Sequence, residues 1–327
     1  MLFDSTAAMN LIADMPFASN AFVVIASVPP DGVDAAIRQI SRRLPHERLP
    51  DLPARRRSFR TMIHIDGKLA AVSRDSKARL DLAIASRTGA RHQPRGLCQE
   101  YWVIGRAAMR EVLFCARLPR SRGQSTAAGS LSSELASMLV SASRPDRRDV
   151  FLDPFGGRGS LVLARLELPV SQILYSDTDL ESCRRHFPRE LTNDARVRFL
   201  SENALTLPSV PDRGIDVIVT DPPWGEYRQI GQPYGAFALG IARAFDRVLH
   251  PVRGRFVVLT SRRTAAGIAA RLAEASFRMN KGYEILVNGH PATVLVGGRP
   301  AAPRARTGRL PAGTSEDAAA TRRDGRD

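Results

Sequence analysis

Between Asp149 and Ala275 the chain alternates short apolar runs with stretches of helical period. The runs read as strands at Asp149–Asp153, Gln172–Asp177, Val197–Leu200, Ile215–Thr220 and Arg255–Thr260. Helical spacing falls at Ser160–Glu167, Leu180–His186, Ala236–Leu249 and Arg263–Ala275. Strands separated by helices lie parallel in one sheet, and such a sheet needs cover on both faces. This predicts an open, doubly wound α/β fold. The end departs from the pattern: Tyr283–Val287 and Ala292–Val296 flank Asn288-Gly289, a dipeptide suited to a hairpin turn.

The first third is organised differently. After a weakly patterned stretch over 1–20, read as a loose arm, Ala21–Ala26 is a strand closed by Pro29-Pro30. Val33–Leu44 carries apolar residues at helical spacing, and Pro45–Arg57 reads as a loop. Ser58–Ile65 is a strand before an Asp66-Gly67 turn, and Ser76–Gly89 is a helix stopped by its glycine. Tyr101–Ile104 and Val112–Cys115 are two more strands. An α+β domain over 21–118 follows, then a polar linker over 119–130, a short helix at Leu131–Val140 and the α/β domain over 131–298. Residues 299–327, rich in Pro, Ala, Arg, Gly and Thr, read as a disordered tail.

Composition limits the partners. The chain of 327 residues has 48 Lys and Arg against 33 Asp and Glu, a net charge of +15. Only Lys68, Lys77 and Lys281 are lysine. Residues 1–120 hold 19 basic and 11 acidic side chains, so the excess is densest in the first domain. Its strongest run is Arg42-Arg43, Arg55-Arg56-Arg57 and Arg60. Such a surface attracts polyanions. Met15–Pro30 lacks a basic lead-in and contains Asn and Pro, so neither a signal peptide nor a membrane span is expected. Cys98, Cys115 and Cys183 form no C-x-x-C pair, and the six histidines are scattered. Neither a disulfide framework nor a metal site is expected, and a reducing cytoplasm fits.

Two constellations carry chemistry. The first strand runs through Asp153-Pro154-Phe155-Gly156-Gly157-Arg158-Gly159 into its helix. Val162 occupies the third glycine position of the dinucleotide fingerprint, and no Lys-Ser/Thr follows to make a phosphate loop. What remains is an acid at a strand tip before a Gly-x-Gly bend, suited to an ammonium or hydroxyls and not to a pyrophosphate. The second strand ends at Asp177, where a carboxylate can hold ribose hydroxyls. A turn-stabilising Asp before Pro is the plainer reading of Asp153; the second acidic tip disfavours it.

The fourth strand runs directly into Asp221-Pro222-Pro223-Trp224. Two prolines fix the backbone, so a carboxylate and a carbonyl point in set directions and the aromatic offers a stacking face. An exocyclic amine is a poor nucleophile because its lone pair is delocalised. Acceptors at Asp221 and the Pro222 carbonyl can orient it by its N–H groups without a covalent intermediate. A rigid turn after a core strand is the plainer alternative.

These motifs resemble the class I S-adenosylmethionine-dependent methyltransferases that modify amino groups. The resemblance covers roughly Leu131 to Val296. It implies a Rossmann-like seven-stranded sheet with an antiparallel last strand. It also implies a cofactor set of Asp153, Phe155, Gly157, Gly159, Asp177, Asn203 and Ala204, with Asp153, Gly157 and Gly159 at the methionine part, Asp177 at the ribose, and Asn203 and Ala204 at the adenine. Asn203 stands where the family often has an acid. Asp221, Pro222, Pro223 and Trp224 match its catalytic motif, with Trp where RNA enzymes more often carry Tyr. Phe59 to Leu118 resembles a THUMP RNA-binding domain, especially in Ile65-Asp66-Gly67-Lys68, Arg87-Thr88-Gly89 and Tyr101-Trp102-Val103-Ile104.

The combination implies methylation of an exocyclic amine in RNA, with guanosine N2 in tRNA as the leading target and RNA as the macromolecular partner. An rRNA guanine-N2 enzyme, a DNA adenine-N6 or cytosine-N4 enzyme and a catalytically silent RNA-binding protein are the alternatives.

Overall fold

The computed structural model describes residues 2–52, 56–108, 110–120, 130–225 and 230–300. Arg55, most of the expected linker and all but the first two residues of the expected tail lie outside the described residues. In chain order the first third contains α1 (Met9–Ala13), β1 (Phe22–Val28), α2 (Val33–Arg43), β2 (Ser58–Ile65), β3 (Lys68–Leu69), α3 (Arg74–Thr88), β4 (Arg91–His92), β5 (Gln99–Gly105) and β6 (Val112–Arg117). Then follow α4 (Ser133–Ala142), β7 (Val150–Asp153), α5 (Ser160–Leu166), β8 (Gln172–Ser176), α6 (Leu180–Arg184), α7 (Arg189–Thr192) and β9 (Val197–Leu200). The chain continues with β10 (Val217–Thr220), α8 (Tyr234–Val248), β11 (Arg255–Ser261), α9 (Arg262–Glu274), β12 (Arg278–Val287) and β13 (His290–Gly298).

The first sheet has the order β1-β6-β5-β2-β3, with β4 beside β2. Its β2 and β5 run parallel from Phe59 opposite Gln99 to Ile65 opposite Gly105, and its other long pairs are antiparallel. Ile37 and Ile40 of α2 and Leu80 and Ile84 of α3 pack on Phe59, Ile63, Tyr101, Val103 and Phe114. Asp66 and Gly67 both take positive φ, as the two-residue turn into β3 requires. The helix α3 starts at Ser73, whose hydroxyl accepts from the Ser76 N–H, and stops at Gly89 in the left-handed region. Within the expected loose arm, α1 instead forms a short helix with Ala13 buried beside Ala21 and Leu118. Burial of that one apolar edge accounts for the order there.

The second sheet has the order β12-β13-β11-β10-β7-β8-β9. The five strands from β11 to β9 are mutually parallel, and β13 runs antiparallel to both β11 and β12. Alternate residues face opposite cores. Leu152, Leu174, Ile218 and Val258 pack with Phe237, Ile241, Phe245, Ile268 and Leu272 of α8 and α9. Phe151, Ile173, Val217 and Val257 pack with Leu139, Val140, Leu161 and Val162 of α4 and α5. Double burial explains why these strands read as unbroken apolar runs.

The amino edge of this sheet is closed by ion pairs. Arg165, 0% exposed, donates to the carbonyls of Asp146, Leu168 and Pro169 and to Asp149 Oδ2. The same Asp149 oxygen accepts from Arg255 Nη2 at 2.7 Å and from the Asp146 N–H at 2.7 Å. Asp216 accepts from the Val150 N–H and pairs with Arg253. At the carboxyl edge, strands leave β7 outward through β8 on one side and through β10 on the other. The order therefore reverses between β7 and β10, which opens a crevice at their tips.

Candidate active site

The tips of β7 and β10 meet in a single cavity of about 890 Å³. Asp153, Phe155, Gly157, Asp177, Asn203, Ala204, Asp221, Pro222, Pro223 and Trp224 all line it. Of the residues expected from sequence, Gly159 alone does not. It caps α5 with φ +78 and donates its N–H to the Gly156 carbonyl, so it shapes the bend from behind.

Asp153 is the most enclosed acid of the cavity, 1% exposed. Its Oδ1 accepts from Thr220 Oγ1 at 2.8 Å and from the Phe155 N–H at 3.3 Å. The Thr220 bond crosses from β10 to β7 and joins the two strand tips. Oδ2 is buried with no hydrogen-bond partner. Burial, with Asp221 and Asp177 nearby, pushes the carboxyl up to about 7 although the two hydrogen bonds oppose it. A buried carboxylate oxygen left bare costs stability unless a ligand supplies a donor.

The bend after Asp153 is built against a tyrosine. A Cβ on Gly156 would overlap the Tyr175 ring, so no larger residue fits there without displacing β8. Tyr175 is fully buried and donates its hydroxyl to the Gly157 carbonyl at 2.6 Å. Gly157, with φ +49, donates its N–H to Asp177 Oδ2 at 2.9 Å. Asp177 Oδ1 accepts from the Asp179 N–H, also at 2.9 Å. The second acidic tip is thereby locked to the glycine bend, and each oxygen keeps a lone pair. Asn203 is exposed and accepts from the Leu205 N–H at 2.9 Å, a turn that leaves Ala204 buried in the wall.

Asp221 follows β10 directly. Its Oδ1 accepts from Trp224 Nε1 at 2.8 Å. Burial pushes its carboxyl up to about 7 against that bond. Trp224 packs by one side on the core formed by α4 and α5. A second cavity of about 450 Å³ shares Trp224, Ile230 and Gln232 with the first and extends to Tyr234 and Thr264. The indole therefore stands between two chambers.

Sequence reasoning missed several residues here. Thr220 sits where an apolar strand gains one hydroxyl beside the acidic tip, and that position is its only signal. Tyr175 is a lone polar aromatic in the strand opposite the double glycine. Asn288 and His290, at the β12–β13 turn, also line the cavity and come from more than sixty residues downstream with no local motif. Among the described residues no group of His, Cys, Asp and Glu could hold a metal, and no helix is long and apolar enough to cross a membrane.

No family model and no curated protein matches the chain. Solved structures do. TrmN from Thermus thermophilus superposes with a TM-score of 0.72 at 21% identity, over 92% of this chain and 88% of that one. A predicted N6-adenine-specific DNA methylase from Listeria monocytogenes gives 0.63 at 15%, over 89% and 85%. SMU.472, solved in complex with SAH, gives 0.58 at 13%, over 86% and 84%. At these identities the likeness establishes the fold: a Rossmann-like α/β sheet of seven strands, preceded by an α+β sheet, over nearly the whole chain.

Proposed function

We propose that the chain is an S-adenosylmethionine-dependent methyltransferase acting on an exocyclic amine in RNA, with guanosine N2 in tRNA as the leading target. One observation carries this reading: Asp153 and Asp221, from the first and fourth strands of the second sheet, open into one cavity and are joined through Thr220. The cofactor, when bound, supplies an electrophilic methyl group. The bare Oδ2 of Asp153 suits its ammonium group, the bend at Gly156-Gly157 leaves room for its methionine part, and Asp177 suits its ribose hydroxyls. Asn203 and Ala204 line the wall suited to the adenine.

On the acceptor side Asp221 and the Pro222 carbonyl hold the amine by its N–H groups. Trp224 Nε1 already holds Asp221 Oδ1, so Oδ2 is the oxygen directed to the amine. A carboxyl raised to about 7 can take the proton that the amine loses as its new N–C bond forms. The target base must leave its stack to reach the cavity, and Trp224 offers it a face. The basic α+β unit over 21–118, read as THUMP-like, holds structured RNA by phosphate and shape, and the unit over 131–298 carries the chemistry.

The test is transfer of labelled methyl to undermodified tRNA, followed by nucleoside mass spectrometry, with rRNA and duplex DNA in parallel. N2-methylguanosine in tRNA is the expected product. Label in rRNA or DNA alone redirects the substrate. No label in any acceptor rejects the enzyme reading and leaves the silent RNA-binding alternative.

A further inference from the structure

The arginine run at 42–60 does not stay together in the fold. Arg43, the last residue of α2, pairs with Glu47 beyond the helix. Arg60 and Arg117 both close on Glu100, a buried carboxylate that also accepts from Trp102 Nε1. That charge is spent within the sheet. Arg42 instead joins Arg38, one turn earlier on the same helix, and two arginines distant in sequence, Arg79 and Arg87, at a groove of about 440 Å³ between α2 and α3. Arg38 and Arg42 come from α2, and Arg79 and Arg87 come from α3.

The floor of this groove is apolar. Pro45, Leu82 and Ala83 line it, and Leu82 is 68% exposed. The four arginines are all exposed; among the described residues Arg42 makes no ion pair, and Arg38 makes no direct one but attracts Asp34 one turn before it on α2. Arg79 has only an exposed helical pair with Asp75, which solvent weakens. Arg87 donates to the Glu47 carbonyl and keeps its full charge. Four cations around one concave surface repel one another, and an anion with several closely spaced charges relieves that repulsion. Guanidinium forks fit phosphate oxygens two at a time.

Resting on the RNA reading above, we propose that the α2–α3 groove is a seat for the sugar–phosphate backbone of the RNA substrate, sharing no residue with the methyl-transfer cavity. Consecutive phosphodiesters meet the four arginines, and sugar carbons lie on Leu82. The groove grips the acceptor without touching the reacting atoms. Its loss therefore raises KM for RNA and leaves kcat and cofactor affinity unchanged.

The test compares the full-length parent with Arg38→Ala/Arg42→Ala and with Arg243→Ala/Arg278→Ala, which removes the same charge from exposed positions of the second unit. The readouts are binding of in vitro transcribed tRNA across a salt series, methyl-transfer kinetics, and thermal melting to show that each variant folds. The groove variant is expected to bind roughly 10-fold more weakly near physiological salt. Its slope of log affinity against log salt is expected to flatten by about 2, one for each guanidinium taken away from a phosphate. KM rises in parallel and kcat holds. Equal losses in the two variants, or a fall in kcat with KM unchanged, overturn the groove. A parent that methylates no RNA overturns the reading on which the groove rests. Methylation with an unchanged groove variant overturns the groove alone.

Discussion

The two edges of the seven-stranded sheet both bury a carboxylate, and they treat it in opposite ways. At the amino edge a single oxygen of Asp149 takes two guanidiniums and a backbone N–H. At the carboxyl edge Asp153 is as deeply buried, yet one of its oxygens has no donor. The first acid is saturated by the protein that surrounds it. The second is held by Thr220 and Phe155 with half of its capacity empty. A fold that satisfies one edge and starves the other is keeping the second for something that arrives later.

Breaking the saturated edge gives the largest expected effect. Asp149→Ala leaves Arg165 buried without its carboxylate, and a loss of about 3–5 kcal/mol is expected in chemical unfolding. A loss below about 1 kcal/mol would show that the arginine is held by its backbone carbonyls alone. Next comes Asp221→Ala, which removes the proposed acceptor of the amine. Methyl transfer is expected to fall about 100- to 1000-fold, with cofactor affinity in titration calorimetry within about twofold of the parent. Retained turnover would place the acceptor site elsewhere.

Asp153→Asn sharpens the contrast because it should strengthen the empty protein. The Asp153 carboxyl is raised to about 7 from 3.8, so the folded state holds its proton more tightly than the unfolded state does. Its contribution is full below about pH 4 and is lost as pH rises to about 7. The asparagine variant, free of that loss, should gain on the order of 4 kcal/mol over the parent at about pH 8 and nothing at about pH 4. Its affinity for S-adenosylmethionine should collapse at the same time. Equal pH profiles for the two proteins would show that the bare oxygen carries no cost. The smallest effect belongs to Trp224→Phe, which keeps a ring and loses the bond to Asp221. If the carboxylate form of Asp221 is the active one, kcat/KM for the parent rises with pH through about 7. The variant should move that midpoint upward by less than about one unit, because the missing bond favoured the carboxylate.

Much of the second sheet was legible because its central strands β7, β8, β10 and β11 are buried on both faces. Val197–Leu200 reads as a strand and is one, and the Asn288-Gly289 dipeptide marks the turn between β12 and β13. In the first sheet Ser58–Ile65 matches to the residue, and Gly89 stops α3. The helices α1 and α7 left no such trace. Five and four residues long, they are too short to show a period and form because neighbours cover Ala13 and Leu191. At the candidate site the acids were legible from their places after strands. The contacts that set them were not. Gly156 against Tyr175, and Thr220 against Asp153, join residues that only the sheet makes neighbours. Nothing in the sequence singles out Arg165 of α5, and its burial follows from three carbonyls that converge from two loops.

The hydroxyl of Thr220 has a consequence for scale. Adjacent strands stand about 4.8 Å apart, and a hydrogen bond tolerates only a few tenths of an ångström of stretch. With β7 and β10 laced at their ends, the spacing between the two acidic tips is a property of the pleat and not of any loop. The molecule carries its own ruler, cut to one strand step, and whatever is laid along it from either side meets at a fixed mark.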